Sequence, residues 1–271
     1  MFQLAVIGNP IEHSLSPQIH ARFADSLGLA VNYQKLLAPL DQFESTARQF
    51  LANAQGANVT VPFKQQAFDL CDQLTPEAQL AGAVNTLWQQ NGLLFGDNTD
   101  GKGLIRALDQ AGFTLHGKRV VLIGAGGAAR GALGPLLAEA PSELCLVNRT
   151  QAKAEALSED FADLKGPAHL HACSLADLSG EFDLVINASS SSLSGAPLEL
   201  PASFTAKQAM DMMYSKATGE TSFTLQMRAK GAQTSDGLLM LINQAALSFE
   251  RWCGRAPKLD QTDFSFLRGD H

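Results

Sequence analysis

The sequence predicts an α/β protein made of two consecutive units. Short apolar runs alternate with helical patterns along almost the whole chain, which is typical of alternating strands and helices. A second series of such runs begins at 118–127, where a buried strand leads into a glycine-rich turn. With 271 residues the chain is long enough for two such units, which we expect to join near residues 100–117 and again near 235.

Local signals define the elements of the first unit. Ser16 followed by Pro17 predicts an N-cap and a proline at the first helical position, opening a helix toward Leu27. The pair Asn91 and Gly92 suits a type I′ turn and predicts a β-hairpin in TLWQQNGLLF. The remaining pattern predicts strands at 2–8, 31–38 and 56–60 and a helix near 41–53.

The second unit shows the same alternation. Its pattern predicts strands at 143–148, 182–188 and 207–214, with helices at 128–139 and 150–160. A last helix is predicted at 237–253, where apolar residues recur at helical spacing. The pattern alone leaves open which unit this last helix packs on. We therefore expect an α/β fold with parallel sheets.

Composition and charge narrow the class of ligand. The chain has a formal net charge of −7 and no basic run, so it lacks the electrostatic footprint of a nucleic-acid or anionic-membrane binder. The start MFQLAVIGNP has no Lys or Arg before a short apolar stretch, unlike a signal peptide. No apolar run approaches the roughly 18 residues that a membrane helix requires. We expect a cytoplasmic protein that acts on a small molecule.

The cysteines and histidines give no sign of a metal site. The four cysteines, Cys71, Cys145, Cys173 and Cys253, lie far apart and form no C-x-x-C motif, so we expect reduced thiols. His169 and His171 could point to one face of a strand, but no third ligand lies nearby in the sequence. We therefore expect no bound metal.

A glycine-rich turn predicts a dinucleotide site. The sequence Gly124-Ala125-Gly126-Gly127-Ala128-Ala129 follows a strand, precedes a helix and fits G-x-G-x-x-A. Such glycines let the backbone approach a pyrophosphate, and the helix N-terminus presents free N–H groups. Glycine-rich turns also arise for packing alone, which is the alternative here.

The next strand predicts a preference for NADP. In NAD enzymes this strand usually ends in Asp or Glu, which binds the ribose hydroxyls. Here it ends in Asn148, Arg149 and Thr150, and Lys153 follows. The two cations could bind a 2′-phosphate, with Asn148 and Thr150 donating hydrogen bonds. The alternative is a solvated helix face with Thr150 as an N-cap.

Three polar clusters in the first unit lie where predicted strands end. They are Ser14 with Ser16, Asn58 and Thr60 with Lys64, and Asn85 and Thr86 with the segment from Asn98 to Gly101. Open α/β sheets bind ligands at such ends. Each cluster has a structural alternative, because Ser16 and Asp100 could cap helices and Lys64 could be a surface lysine. Together they offer hydroxyls, amides, one cation and one carboxylate, which suits a polyhydroxylated acid.

Eight ordered segments resemble the shikimate dehydrogenase family along nearly the whole chain. They are VIGNPIEHSLSPQIH, GANVTVPFK, LAGAVNTL, GDNTDGKG, GAGGAARG, NRT, DMMY and SDGLLMLINQAALSF. The resemblance implies a substrate-binding domain at 1–101, completed by 237–271, and a Rossmann-type NADP-binding domain at 102–236. It also implies reduction of 3-dehydroshikimate to shikimate by NADPH, in a monomer or homodimer.

The resemblance also implies a role for individual residues. Lys64 and Asp100 would be the catalytic pair, and Ser14 and Ser16 would bind the substrate carboxylate with Tyr214 nearby. The residues expected to bind ring hydroxyls are Asn58, Thr60, Asn85, Asp100 and Gln244. The cofactor would be bound by the glycine-rich turn, by the segment Asn148–Lys153, and by Met212 and Gly237.

Some positions depart from the family pattern. Residues 188–192 are Ala-Ser-Ser-Ser-Ser where the family usually has Ala-Thr-Ser and a nearby glycine, Leu239 replaces a usual glycine, and Asn243 stands where a small residue is common. These changes affect the expected cofactor placement and rate rather than the reaction. Open alternatives are a quinate/shikimate dehydrogenase using NAD or NADP, a related enzyme acting on an amino-substituted ring, and a non-catalytic nucleotide-sensing regulator.

Overall fold

The computed structural model describes residues 1–189, 191, 197–216 and 218–268. The chain divides into two compact units. The first unit comprises Met1–Gly103 and Ile242–Leu267, and the second comprises the described residues of Leu104–Leu241 together with Arg268. Both divisions fall inside helices, a few residues beyond the expected boundaries at 101 and 237. The predicted α/β architecture is confirmed.

The first unit is built around one six-stranded sheet. Its strands are β1 (Phe2–Gly8), β2 (Val31–Leu37), β3 (Gly56–Val59), β4 (Gln73–Leu74), β5 (Thr86–Gln90) and β6 (Leu93–Asp97), in the order β2-β1-β3-β5-β6-β4. Its helices are α1 (Ser16–Leu27), α2 (Phe43–Leu51), α3 (Lys64–Leu70) and α4 (Pro76–Ala81). The buried faces of this sheet and its helices form one apolar core that includes Phe43, Phe63 and Leu87.

This first sheet is mixed, whereas the sequence predicted a parallel one. Strand β5 runs antiparallel to both β3 and β6. The hairpin predicted from Asn91 and Gly92 is the physical reason, because their φ angles of 54° and 79° allow a tight reversal between β5 and β6. The other strand pairs of this sheet are parallel.

The second unit carries a fully parallel sheet among the described strand pairs. Its strands are β7 (Arg119–Ile123), β8 (Glu143–Asn148), β9 (His169–Ser174), β10 (Gly180–Asn187), β11 (Phe204–Asp211) and β12 (Gln233–Ser235). Further α-helices are α5 (Asp100–Gln110), α6 (Gly127–Ala138), α7 (Gln151–Asp160), α8 (Ser222–Ala229) and α9 (Leu238–Cys253), with α5 and α9 shared between the units.

The strand order of the second sheet is β12-β11-β10-β7-β8-β9. Counted from β7 as the first strand, this is the 3-2-1-4-5-6 order of dinucleotide-binding domains. The order reverses between β7 and β10, and such sheets bind ligands at the carboxyl ends of the strands on either side of that point.

The structure corrects two predicted helix caps and one strand. Leu15, not Ser16, is the N-cap residue of α1, and Ser16 is already helical. Asp100 is the first residue of α5 rather than its cap, and its carboxylate bonds to other side chains. Strand β11 ends at Asp211, so Met212 and Tyr214 lie in the segment after the strand instead of within it.

The described residues show three further features. No helix among them is long and apolar enough to cross a bilayer. The four cysteines are free thiols, and the Sγ atoms of Cys145 and Cys173 lie 3.5 Å apart on neighbouring strands. The rings of His169 and His171 stack at 4.8 Å, and no group of three potential metal ligands occurs in the described part of the chain.

Candidate active site and cofactor site

Lys64 and Asp100 form an ion pair at the starts of two helices. Lys64 is the first residue of α3 and Asp100 the first residue of α5. The Nζ atom of Lys64 lies 2.6 Å from Oδ2 of Asp100, and the two side chains are 32% and 19% exposed. An ammonium carries three N–H donors, so others are available to an incoming oxygen atom. The structure thus brings together the two residues expected to form the catalytic pair.

Asn85 contacts the same carboxylate through its amide. Its Oδ1 accepts the backbone N–H of Thr99 at 3.0 Å, and because that group can only donate, the orientation of the amide is fixed. Its Nδ2 then donates to Oδ1 of Asp100 at 2.8 Å and to Oε1 of Gln244 at 3.3 Å. One oxygen of Asp100 therefore faces an ammonium and the other an amide, which sets the plane of the carboxylate.

Asn58 belongs to the same buried network. Its Nδ2 donates to the backbone carbonyl of Asn85 at 3.1 Å and to Oγ of Ser248 at 3.0 Å. Its Oδ1 accepts the hydroxyl of Tyr33 at 2.7 Å. Because a backbone carbonyl only accepts, Nδ2 must face it, and Oδ1 is left to accept hydrogen bonds.

The other predicted substrate residues of this unit are Ser14, Ser16 and Thr60. The Oγ of Ser14 donates to Oγ of Ser16 at 3.2 Å and accepts the backbone N–H of Ser16 at 3.3 Å. Thr60 follows β3 directly, and its N–H donates to Ile7 at 2.9 Å. A Cβ atom at Gly8 would lie 2.5 Å from the methyl carbon of Thr60, so glycine at position 8 leaves room for the Thr60 side chain.

Four residues of the network received no individual role from the sequence. Thr86 donates to Oδ1 of Asn85 at 2.8 Å and lies 2.7 Å from the hydroxyl of Ser248. Thr99 donates to the backbone carbonyl of Gln244 at 3.0 Å. Thr86 and Thr99 lie inside the quoted segments LAGAVNTL and GDNTDGKG, so these motifs already contained the signal. Ser248 lies one helical turn after Gln244, and Tyr33 had no sequence signal beyond an aromatic residue in a strand.

The glycine-rich turn lies where the order of the second sheet reverses. Gly124 follows β7 with φ of 119°, and its N–H donates to Val147 at the end of β8 at 2.7 Å. Gly126 is the N-cap residue of α6. Side chains at Gly126 or Gly127 would meet no atom of the described residues within 4 Å, so none of these residues fills the space above the helix N-terminus. This is the geometry that lets a pyrophosphate approach the backbone.

The segment after β8 presents its polar groups to solvent. Arg149, Thr150 and Lys153 are exposed, and Nδ2 of Asn148 donates to the carbonyl of Thr150 at 2.9 Å. Thr150 is the N-cap residue of α7, but its side chain makes no capping hydrogen bond. Within the described residues, Arg149 and Lys153 form no ion pair, so both cations are available to an anionic ligand.

Met212 and Gly237 are in contact in the second unit. A Cβ atom at Gly237 would lie 2.2 Å from the carbonyl oxygen of Met212, so only glycine fits here. The N–H of Gly237 donates to Met213 at 2.9 Å. Tyr214 follows in the same segment and is half-buried, and burial raises the pKa of its phenol. Because Tyr214 belongs to the second unit, its expected place beside the substrate carboxylate stays a prediction.

The departures from the family pattern lie on both units. Ser189 donates its hydroxyl to Oδ1 of Asn187 at 2.6 Å, while Ser190 and Ser192 lie outside the described residues. Leu239 is on the first turn of α9, and Asn243 lies on the same helix with 1% of its surface exposed.

Three family models match successive segments of the chain. The model of the shikimate dehydrogenase substrate binding domain matches residues 6–87. The model described as shikimate / quinate 5-dehydrogenase matches residues 106–197, and that of the shikimate 5′-dehydrogenase C-terminal domain matches residues 237–262.

Individual relatives agree with these matches. The NADP-dependent shikimate dehydrogenase of Acinetobacter baylyi is 49% identical over 97% of this chain and 98% of its own length. The crystal structure of an Ael1 enzyme from Pseudomonas putida superposes with a TM-score of 0.89 at 38% identity, covering 96% of both chains. The shikimate 5-dehydrogenase of Thermus thermophilus, solved with NADP(H) and shikimate, gives a TM-score of 0.85 at 36% identity over 95% of each chain.

Proposed function

Because the chain belongs to the shikimate dehydrogenase family, we propose that it reduces 3-dehydroshikimate to shikimate with NADPH and catalyses the reverse reaction with NADP⁺. The observation that carries this proposal is the arrangement of Lys64, Asp100 and Asn85. An ammonium and an amide contact the two oxygens of one carboxylate at 2.6 and 2.8 Å. The ammonium of Lys64, oriented by this carboxylate, can donate a proton to an oxygen atom.

The proposed reaction adds a hydride to the ketone carbon and a proton to its oxygen. Bound NADPH supplies the hydride. The ammonium of Lys64 hydrogen-bonds the ketone oxygen and gives it a proton as negative charge develops there, which stabilises the transition state. Asp100 orients the ammonium and accepts a hydrogen bond from a neighbouring hydroxyl of the substrate.

Neutral groups bind the rest of the substrate in this proposal. Ser14 and Ser16 donate to the carboxylate, with Tyr214 close to it. The amides of Asn58, Asn85 and Gln244 and the hydroxyl of Thr60 bind the ring hydroxyls. A site built from such groups rejects analogues that lack one hydroxyl, because its buried polar atoms are then left without partners.

The second unit would bind the cofactor. The turn from Gly124 to Ala128 would receive the pyrophosphate, and Arg149, Thr150 and Lys153 the 2′-phosphate, with Asn148 shaping that segment. Met212 and Gly237 would face the nicotinamide half. In this assignment the first unit is the substrate domain and the second the NADP domain. We further propose a cytoplasmic enzyme that is a monomer or homodimer, and sedimentation analysis tests the second point.

Initial rates of cofactor reduction test the proposal directly. Shikimate and quinate are each assayed with NADP⁺ and with NAD⁺. We expect turnover confined to shikimate with NADP⁺. Comparable rates with quinate or NAD⁺ would indicate the specificity of a quinate/shikimate dehydrogenase instead. An enzyme inactive in all four assays would favour a nucleotide-sensing regulator or an amino-substituted substrate.

A further inference from the structure

A carboxylate that the proposed reaction does not use is buried in the second unit. Asp211 is the last residue of β11, and none of its surface is exposed. Its Oδ2 accepts the hydroxyl of Thr221 at 2.6 Å, and its Oδ1 accepts the backbone N–H of Met213 at 3.0 Å. Burying a carboxylate costs free energy unless the group is well hydrogen-bonded. The hydrogen-bond partners of Asp211 therefore indicate its structural role.

The hydrogen bonds of Asp211 join three segments of this unit. Thr221 is the N-cap residue of α8. Met213 lies in the segment that follows β11, whose Met212 donates its N–H to the carbonyl of Asn187 at 2.9 Å. The side chain of Asn187, at the end of β10, donates to Oδ1 of Asp211 at 3.2 Å. One carboxylate thereby connects the ends of two neighbouring strands with the start of a helix.

Asn187 extends this connection to the segment after β10. Its Oδ1 accepts both the N–H and the hydroxyl of Ser189, at 3.1 and 2.6 Å. The side chain of Asn187 is fully buried, like that of Asp211. The segments after β10 and after β11 are therefore fixed by the same pair of side chains, which are register partners in the sheet.

The backbone of Met213 is bonded from both sides. Its N–H donates to Asp211, and its carbonyl accepts the N–H of Gly237 at 2.9 Å. Gly237 in turn lies against the carbonyl of Met212. Without the Asp211 carboxylate, the bond from Met212 to Asn187 and the contacts with Gly237 would remain, but the N–H of Met213 would lose its acceptor.

The position of these segments in the sheet indicates what they serve. In a sheet of order 3-2-1-4-5-6, each half of a dinucleotide lies over one half of the sheet. The proposed 2′-phosphate residues follow β8, so the adenosine half belongs on the β7–β8 side. The segments after β10 and β11 lie on the opposite side of the reversal point, where the nicotinamide half belongs.

We propose that Asp211 is a positioning residue that fixes the segment Met212–Met213 for the nicotinamide half of NADP. Loss of the Asp211 side chain then leaves binding of the adenosine half unaffected. This role rests on the proposed function. It predicts that loss of Asp211 weakens binding of the nicotinamide half alone, whereas general damage to the second unit would weaken binding of both halves.

Asp211→Ala and Asp211→Asn provide the test. Binding of NADPH is measured by fluorescence, and binding of adenosine 2′,5′-bisphosphate, which carries only the adenosine half, by calorimetry. For Asp211→Ala we expect an NADPH Kd raised about 10-fold, as for loss of a hydrogen bond to a charged group, with the Kd of the bisphosphate unchanged. Asp211→Asn keeps an oxygen that can accept the Met213 N–H, so it should restore most of the NADPH affinity.

Several outcomes would overturn this role. An equal increase in the Kd of both ligands would indicate a general structural role. An unchanged NADPH Kd in folded Asp211→Ala would show that the residue has no part in cofactor binding. An Asp211→Asn enzyme as weak as Asp211→Ala would contradict positioning through the hydrogen bond. If Asp211→Ala does not fold, Asp211→Ser, too short to reach both Met213 and Thr221, replaces it.

The two proposals fail separately. Wild-type protein that binds NADPH but turns over neither shikimate nor quinate would overturn the proposed reaction. The different effects of the Asp211 variants on the Kd of NADPH and of the bisphosphate would still be measured. As a matched control we use Asp177→Ala, which removes an exposed aspartate of the same unit that bonds Ser174. It should change neither Kd.

Discussion

The ammonium of Lys64 lies 2.6 Å from Oδ2 of Asp100, and neither side chain is fully buried. Partial exposure keeps the ammonium accessible to a substrate oxygen, while the ion pair restricts its direction. In water such a pair contributes little to stability, because solvent screens it and ordering two side chains costs entropy. The pair is therefore better explained by catalysis than by stability, which leads to the first prediction.

Lys64→Ala should lower kcat by about 10²- to 10⁴-fold, the range that general acid–base assistance contributes. Binding of NADPH, measured by fluorescence, should remain nearly unchanged, since the residues proposed to bind the cofactor lie in the second unit. Lys102→Ala is the matched control, because Lys102 also forms an ion pair in the first unit, with Glu77. A Lys64→Ala enzyme with near-normal kcat would remove the lysine from the mechanism.

Gly103→Ala should raise the KM for shikimate. A Cβ atom at Gly103 would lie 2.7 Å from Cβ of Gln244 and 2.8 Å from its backbone nitrogen, so α5 and α9 would have to separate there. Such overpacking costs about 1–3 kcal/mol, and it would shift the amide that faces Asn85. Urea unfolding and steady-state kinetics measure the two effects. An unchanged KM in a destabilised variant would show that Gln244 does not bind substrate.

Arg149→Ala should raise the KM for NADP⁺ without changing that for NAD⁺. Loss of a hydrogen bond between charged groups corresponds to about 1.5–3 kcal/mol, or roughly 10- to 150-fold in affinity. Lys153→Ala should act in the same direction. Lys165→Ala, an exposed lysine of the same unit, is the control. Parallel increases for both cofactors would place Arg149 outside the 2′-phosphate site.

Features set by neighbouring residues could be predicted from the sequence. The hairpin at Asn91 and Gly92 and the strand–turn–helix around Gly124 depend on backbone conformations that only a few residue types allow. The cap at Asp100 was mispredicted because a distant contact decided it, whereas Oγ of Ser16 accepts a hydrogen bond from its neighbour Ser14 and Leu15 is the N-cap residue. The carboxylate of Asp100 bonds Lys64, 36 positions away in the sequence, instead of the backbone of its own helix.

The buried polar network shows the same limit. Asn58 and Ser248 are 190 positions apart, and only folding brings the amide of one to the hydroxyl of the other. Local patterns contain no information about such a pair. Family motifs supplied Asn58 and Gln244, whereas Thr86 and Thr99 lay in a predicted polar cluster but received no individual role, because threonine in a strand or before a helix is common.

His20 makes the stability of the protein sensitive to acid. Its ring is fully buried and stacks on Tyr33 at 4.2 Å, with Phe249 and Trp252 nearby. Burial lowers the pKa of His20 from 6.5 to about 3, and the Asn58 side chain only partly opposes this. The imidazole is therefore neutral in the folded protein at every pH between these values, whereas in the unfolded chain it gains a proton.

The sign of the effect follows from this difference in protonation. Below pH 6.5 the unfolded state binds one more proton than the folded state, so acid favours unfolding. The stabilising contribution is complete above the unfolded pKa and is lost as pH falls toward about 3. Where the two states differ by a full proton, the slope is about 1.4 kcal/mol of unfolding free energy per pH unit.

His20→Phe should remove this slope, because phenylalanine keeps a stacked ring but cannot bind a proton. Urea unfolding at several pH values between about 5 and 7.5 measures it, in the range where histidine titrates in an unfolded chain. Overpacking by the larger ring lowers stability equally at each pH, so the difference in slope isolates the proton. The exposed His116, changed to Gln, is the control. Equal slopes for wild type and His20→Phe would mean that His20 is protonated in the folded protein or that it stays neutral in the unfolded chain.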